Sequence, residues 1–223
     1  LLRHDDVVTL FHEFGHGLHH MLTQVDCASV SGINGVAWDA VELPSQFLEN
    51  WCWDPEALNL ISGQVETGEP LPLALLDKMQ QARNFCSGMQ MVRQLEFALF
   101  DFRLHNEFDG NPATLQAILD QVRAAVSVIP ISETNRFQNG FSHIFGDVMG
   151  YAAGYYSYKW AEVLSADTFS KFKEDGIFNR QTGERFLTTV LEQGGARDAL
   201  ELFVDFRGRA PSITPLLQQE GIL

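Results

Sequence analysis

The stretch LFHEFGHGLHH, residues 10–20, places four histidines and a glutamate in eleven positions. His12 and His16 are four apart, so on a helix their imidazoles leave the same face and can converge on one ion. Glu13 then points beside the ion, where a base acting on a metal-activated water belongs. HExxH also arises by chance. A catalytic zinc normally takes three protein ligands and a water, so two histidines leave one protein position unfilled.

Neither His19 nor His20 fills it readily. From His12 to His19 is roughly 10 Å of helix at 1.5 Å per residue, too far for two bonds of about 2 Å to one ion. Those two histidines are expected to be outer partners, substrate-facing, or solvated. The spacing HExxHxxGxxH fails too, with His19 where it requires Gly and Leu22 where it requires His. A carboxylate from another segment is the remaining route. Glu42, in VAWDAVELPSQFLENW, lies 26 residues after His16. Asp39 and Glu42 read equally well as a D-x-x-E capping box, and spacing does not choose between ligand and cap. Asp6, Asp39 and Glu49 are candidates to hold the outer nitrogen of a ligating histidine, again without a choice. Trp38, Trp51 and Trp53 read most simply as packing residues.

The elements that must position these groups are helical. Val7, Phe11, Phe14, Leu18 and Met21 form an apolar stripe expected to face the core, with His12 and His16 well round from it. Further helical patterns run over about 39–61, then 73–106 after TGEPLP and about 112–128 after DGNP. Others follow at about 150–175, 183–193 and 196–206, with a short tail beyond Pro211. The one extended-looking stretch, about 28–36 with its SGING, reads as a loop or short hairpin. The expectation is an all-α fold of one domain, residues 1–223, without repeats.

Composition narrows the partners. The 29 acidic and 15 basic residues give a net charge of −14 over 223 residues, and the Lys and Arg residues are scattered. Duplex nucleic acid is therefore excluded as an expected partner, because neutralising phosphates needs a basic stripe. Three cysteines, Cys27, Cys52 and Cys86, without CxxC spacing suit free thiols in a reducing compartment: the cytoplasm, or an organelle stroma or matrix. No run of eighteen apolar residues exists, so no membrane association is expected. The chain starts without Met, inside a helical pattern, and reads as a piece of a longer protein whose upstream part could carry a targeting segment.

HEFGHGLHH followed by WDAVELPSQFLENWCW resembles the zinc metallopeptidases of the thimet oligopeptidase family. GEPLPLALLDKM, RQLEFALFDFRLH, GYAAGYYSYKWAEVLSAD and FRGRAP extend that resemblance over essentially the whole chain. It implies a zincin-like catalytic domain in which His12, His16 and Glu42 bind one Zn2+ and Glu13 is the general base. It also implies a long N-terminal part of the same protein and an active site deep in a channel between two lobes. The implied activity is endopeptidase cleavage of short peptides. Peptidyl-dipeptidase action within the same family is the alternative, and a catalytically inert zinc-binding fragment is the other.

By the same resemblance Tyr151 and Tyr158 are donors to the substrate oxyanion and His143 is a substrate-binding histidine. Read without it, an aromatic run at helical spacing, with Tyr155 and Tyr156 between, is core packing. Between His143 and Tyr151 the segment is longer than in the family, and it carries Asp147, whose charge would oppose an oxyanion. An N,N,O ligand set would accept cobalt or manganese as well as zinc.

Overall fold

The computed structural model describes residues 1–146 and 150–223. Its helices are α1 (His4–Met21), α2 (Trp38–Val41), α3 (Leu43–Glu49), α4 (Pro55–Ile61), α5 (Leu73–Asn84), α6 (Ser87–Glu107), α7 (Pro112–Val126), α8 (Ser142–Phe145), α9 (Ser157–Asp175), α10 (Arg180–Thr189), α11 (Ala199–Arg207) and α12 (Thr214–Gln219). Among the described residues there is no strand, and the fold is all-α as expected. The stretch that could have been a hairpin holds a short 3-10 turn, Ala28–Val30, and further turns. Gly32 and Gly35 there adopt φ of +61° and +71°, which breaks an extended run. None of the described helices is long and apolar enough to cross a membrane.

Proline and local capping break the longer helical patterns. Residues 39–61 fold as three helices and a 3-10 turn, Asn50–Trp53, because Pro44 and Pro55 each sit in the first turn of a new helix, where a missing N–H costs nothing. Asp54 caps α4 by accepting from the amides of Glu56 and Ala57. The pattern over 73–106 is interrupted at Cys86, whose φ of +58° no helix interior can hold. At 150–175 the helix begins only at Ser157, with turns over residues 152–156.

The chain divides into two compact units, Leu1–Phe85 with Trp160–Leu223, and Cys86–Lys159. In the first, Phe47 is the centre of an aromatic core, with ring centroids 4.4 Å from Phe186, 4.9 Å from Trp51 and 5.2 Å from Phe172. Phe169, Phe203 and Phe206 complete it. Asp167, fully buried, ties down the FRGRAP segment. Burial opposes its charge, but the Arg209 guanidinium, the Ser212 amide and the Arg207 guanidinium outweigh that and hold its carboxyl below the usual range. In the second unit α6 and α7 pack through Phe100, Leu104, Leu119 and Val122. There buried Glu96 is held by Arg93 at 2.7 Å and Arg123 at 2.9 Å.

The packed face of α1 is not its apolar stripe. Phe14 and Met21 are 53% and 64% exposed, whereas Gly15 and His19 are buried. A hydrophobic pattern marks large apolar side chains, but the closest approach to a neighbour is set here by the residue with none. A Cβ on Gly15 would lie 2.5 Å from the Pro44 carbonyl oxygen and 2.6 Å from the Ser45 Cα, both backbone atoms that cannot swing away. The neighbouring Gly17 has only the Met21 methyl, at 3.8 Å.

These two glycines therefore respond oppositely to the same change. Gly15→Ala should lower stability by about 1–3 kcal/mol through overpacking. Gly17→Ala should raise it by up to about 1 kcal/mol through helix propensity alone. Thermal unfolding of the two variants checks the pair, and equal shifts would contradict the close α1–α3 contact.

Candidate metal centre

His12 and His16 lie one turn apart on α1, and Glu42 stands at the junction of α2 and α3. The Glu42 carboxylate caps neither helix, and the N-cap of α2 is Ala37, so the D-x-x-E box does not form. Instead the Ser45 hydroxyl lies 2.9 Å from both the main-chain oxygen and Oε2 of Glu42, fixing the carboxylate toward α1. Oε2 sits 3.4 Å from His12 Nε2 and 3.1 Å from His16 Nε2. Ligands at about 2.0–2.1 Å from a tetrahedral ion are about 3.3–3.4 Å apart, so two edges of such a shell are already close to size. The three donor atoms all lie within 4.8 Å of one another, and no other group of three or more potential ligands is found among the described residues.

The electrostatics suit a cation. His12 Nδ1 donates to Glu49 Oε1 at 2.7 Å, which turns Nε2 toward Glu42 and selects one of the three candidate outer carboxylates. Hydrogen bonds to Glu42 and Glu49 push the His12 pKa up to about 10 against the cost of burial. Burial likewise opposes the charge on Glu42, yet hydrogen bonds from His12, His16 and Ser45 hold its carboxyl far below the usual range. Two carboxylates therefore demand a positive charge between the imidazoles, and a proton or a divalent ion can supply it. His16 Nδ1 is buried without a hydrogen-bond partner, so the outer support is one-sided.

Glu13 is exposed on α1, next in sequence to His12. His19 is not a ligand of this group. It is buried beside a separate cavity of about 360 Å³, lined also by Val36, Pro44 and Gly194–Ala199. Burial, with the charges of His16 and His20, pushes its pKa down to about 4, so it is neutral at pH 7. His20 is exposed.

In the second unit His143, Tyr151 and Tyr158 come together. The Tyr151 and Tyr158 rings stack at 4.7 Å with 22° between planes, and the His143 ring lies 5.9 Å from Tyr151 and 6.2 Å from Tyr158. Tyr155 is the packing member of this group: it joins the core with Phe97 and Phe141, and its hydroxyl donates to Gln94 at 3.0 Å. Tyr151 and Tyr158 are half-buried, and Tyr156 is exposed. Asp147 lies outside the described residues.

Glu49 is the residue that spacing could not single out. Glu49→Gln keeps the shape but removes the charge that orients His12, and should weaken divalent-ion binding about 10–100-fold. Titration against a competing chelator measures this, and unchanged affinity would show that the 2.7 Å contact does not support the site.

The sequence pattern of Peptidase family M3 matches residues 1–222. Oligopeptidase A of Escherichia coli is 58% identical over 223 residues, which is all of this chain and 32% of that protein. The organellar oligopeptidase A (chloroplastic/mitochondrial) of Arabidopsis thaliana is 48% identical over 228 residues, again across the whole chain and 29% of that protein. Dipeptidyl carboxypeptidase of E. coli is 38% identical over 225 residues, with 32% of its length covered. The chain thus spans about a third of the length of the curated relatives it matches. Since the match runs through both units and through every residue of the histidine–glutamate cluster, the chain belongs to Peptidase family M3.

Proposed function

We propose that this chain is the C-terminal catalytic part of a zinc-dependent metalloendopeptidase that hydrolyses internal bonds of short peptides. The observation that carries this reading is the meeting of His12, His16 and Glu42 in a chain of Peptidase family M3. These three residues hold one Zn2+, and Glu49 fixes the ring of His12. When bound, the ion supplies Lewis acidity toward water and toward the scissile carbonyl. Glu13 accepts a proton from the attacking water and delivers it to the leaving amine. Tyr158 and Tyr151 donate hydrogen bonds to the developing oxyanion, and His143 binds substrate. These roles rest on the resemblance of the motifs.

A long N-terminal part of the same protein is proposed to complete the peptide channel, and the cytoplasm or an organelle interior is the proposed location. Peptidyl-dipeptidase action is the second reading, suggested by the 38% identity to dipeptidyl carboxypeptidase, while the 58% identity to oligopeptidase A favours the first. A C-terminally amidated peptide separates them, since removal of a terminal dipeptide requires a free carboxylate to clasp. The inert fragment is the third reading, and a chain that binds zinc without turnover would support it.

Hydrolysis of a quenched fluorescent peptide, with chelator and with zinc restored, tests the activity. Glu13→Gln should retain the metal and abolish cleavage, whereas Glu42→Ala should lose metal affinity itself. Metal content measured beside turnover distinguishes the two, and a Glu42→Ala chain that keeps its zinc would remove that residue from the ligand set. Tyr158→Phe should lower kcat by about 10²-fold with little change in KM, as expected of a donor used mainly in the transition state. A matching loss of thermal stability with kcat preserved would instead mark the tyrosine as packing.

A further inference from the structure

Asp101, on α6 of the second unit, is fully buried. A carboxylate taken out of water must recover its solvation from hydrogen-bond donors. Two of its donors come from the turn between Tyr151 and Tyr158: the Ala153 amide donates to Oδ1 at 2.9 Å, and the Tyr155 amide to Oδ2 at 2.8 Å. His105, one turn further along α6, brings Nδ1 to 2.9 Å from Oδ1. Helix α6 closes its own backbone hydrogen bonds, so the acid is not there to satisfy its helix.

The turn it holds has a costly conformation. Ala153 has φ of +56°, in the left-handed region that a residue with a Cβ rarely enters. The Gly154 amide bonds back to the Tyr151 carbonyl at 2.9 Å, and the Ser157 amide, at the start of α9, bonds to the Gly154 carbonyl at 3.0 Å. Tyr155 is pinned at both ends, by its amide to Asp101 and by its hydroxyl to Gln94, also on α6. The stacked rings of Tyr151 and Tyr158 therefore leave the backbone on either side of a turn whose middle is fastened to one carboxylate.

We propose that Asp101 is a positioning residue: its buried carboxylate fixes the backbone of Ala153–Tyr155 and so sets where the Tyr151 and Tyr158 hydroxyls stand when they donate to substrate. The functional half of this statement rests on the donor role given to those tyrosines above. A carboxyl group offers an acceptor oxygen to each amide at once, whereas an asparagine of the same shape turns an NH2 toward one of them. A staple that merely holds the second unit together would use the same bonds, but its loss would loosen α6 and α7 as well.

Asp101→Asn separates the two. Amide hydrogen exchange should rise by about tenfold or more at Ala153 and Tyr155 and stay unchanged in α6 and α7. In the same variant kcat should fall on the order of 10–100-fold, with KM and bound metal unchanged. Protection lost together in the turn, α6 and α7 overturns the proposal, as does a turn that stays protected, or a loosened turn with full kcat. A parent chain without peptidase activity counts against the proposed function, and the exchange measurement still decides whether Asp101 holds the turn. Should Asp101→Asn fail to fold, the unmodified chain carries the test: Ala153 and Tyr155 amides exchanging at the rate of unstructured peptide overturn the proposal, and slowing by about tenfold or more supports it.

Discussion

The close contact of α1 with α3 is the constraint on which the candidate metal centre depends. Two of its candidate ligands ride on one helix and the third stands at the start of the other, so the depth of their approach fixes whether three donors could share an ion. Gly15 sets that depth, because any side chain there would strike the backbone at Pro44 and Ser45. Pro44 supports the arrangement from the opposite side: it lies in the first turn of α3, which begins at Leu43, so Glu42 is a junction residue at the N-cap whose side chain is not held along a helix. Ser45 then fixes the carboxylate by donating to it.

Charge completes what the packing begins. Glu42 is nearly buried, and Glu49 lies on the far side of His12. Burial alone would raise the pKa of the Glu42 carboxyl, but hydrogen bonds from His12, His16 and Ser45 hold it ionised. A cluster that keeps two negative charges near two neutral-capable nitrogens is stable only with a positive partner. That property makes the group a competent cation site, and it separates these histidines from His19, which is buried beside an apolar cavity and stays neutral.

Much of this was legible in the sequence where chemistry is local. HExxH placed His12 and His16 on one helical face, and the turn signal DGNP, with Asn111 and Pro112, marked a helix start that the structure shows, whereas the start at Pro55 was read through as part of one pattern over about 39–61. The all-helical class followed from apolar spacing. What periodicity could not show was the orientation of α1, since Gly15 carries no side chain to register in a hydrophobic pattern, and Phe14 and Met21 mislead by being apolar and exposed. The choice between cap and ligand for Glu42, and among Asp6, Asp39 and Glu49 as the outer partner, depended on contacts across tens of residues. His12 and Glu49 are 37 apart, and Asp101 and Ala153 are 52 apart, separations at which spacing carries no geometric information.

On the proposed reading, two imidazoles of α1 and the Glu42 carboxylate grip one divalent ion. Diffraction from zinc-loaded crystals, with an anomalous map at the metal edge, tests it most directly. A single peak is expected, bonded at about 2.0–2.2 Å to His12 Nε2, His16 Nε2 and a Glu42 oxygen, with a non-protein fourth position. A peak elsewhere, a fourth protein side chain on the ion, or a Glu42 carboxylate turned away from it would rule out that shared coordination.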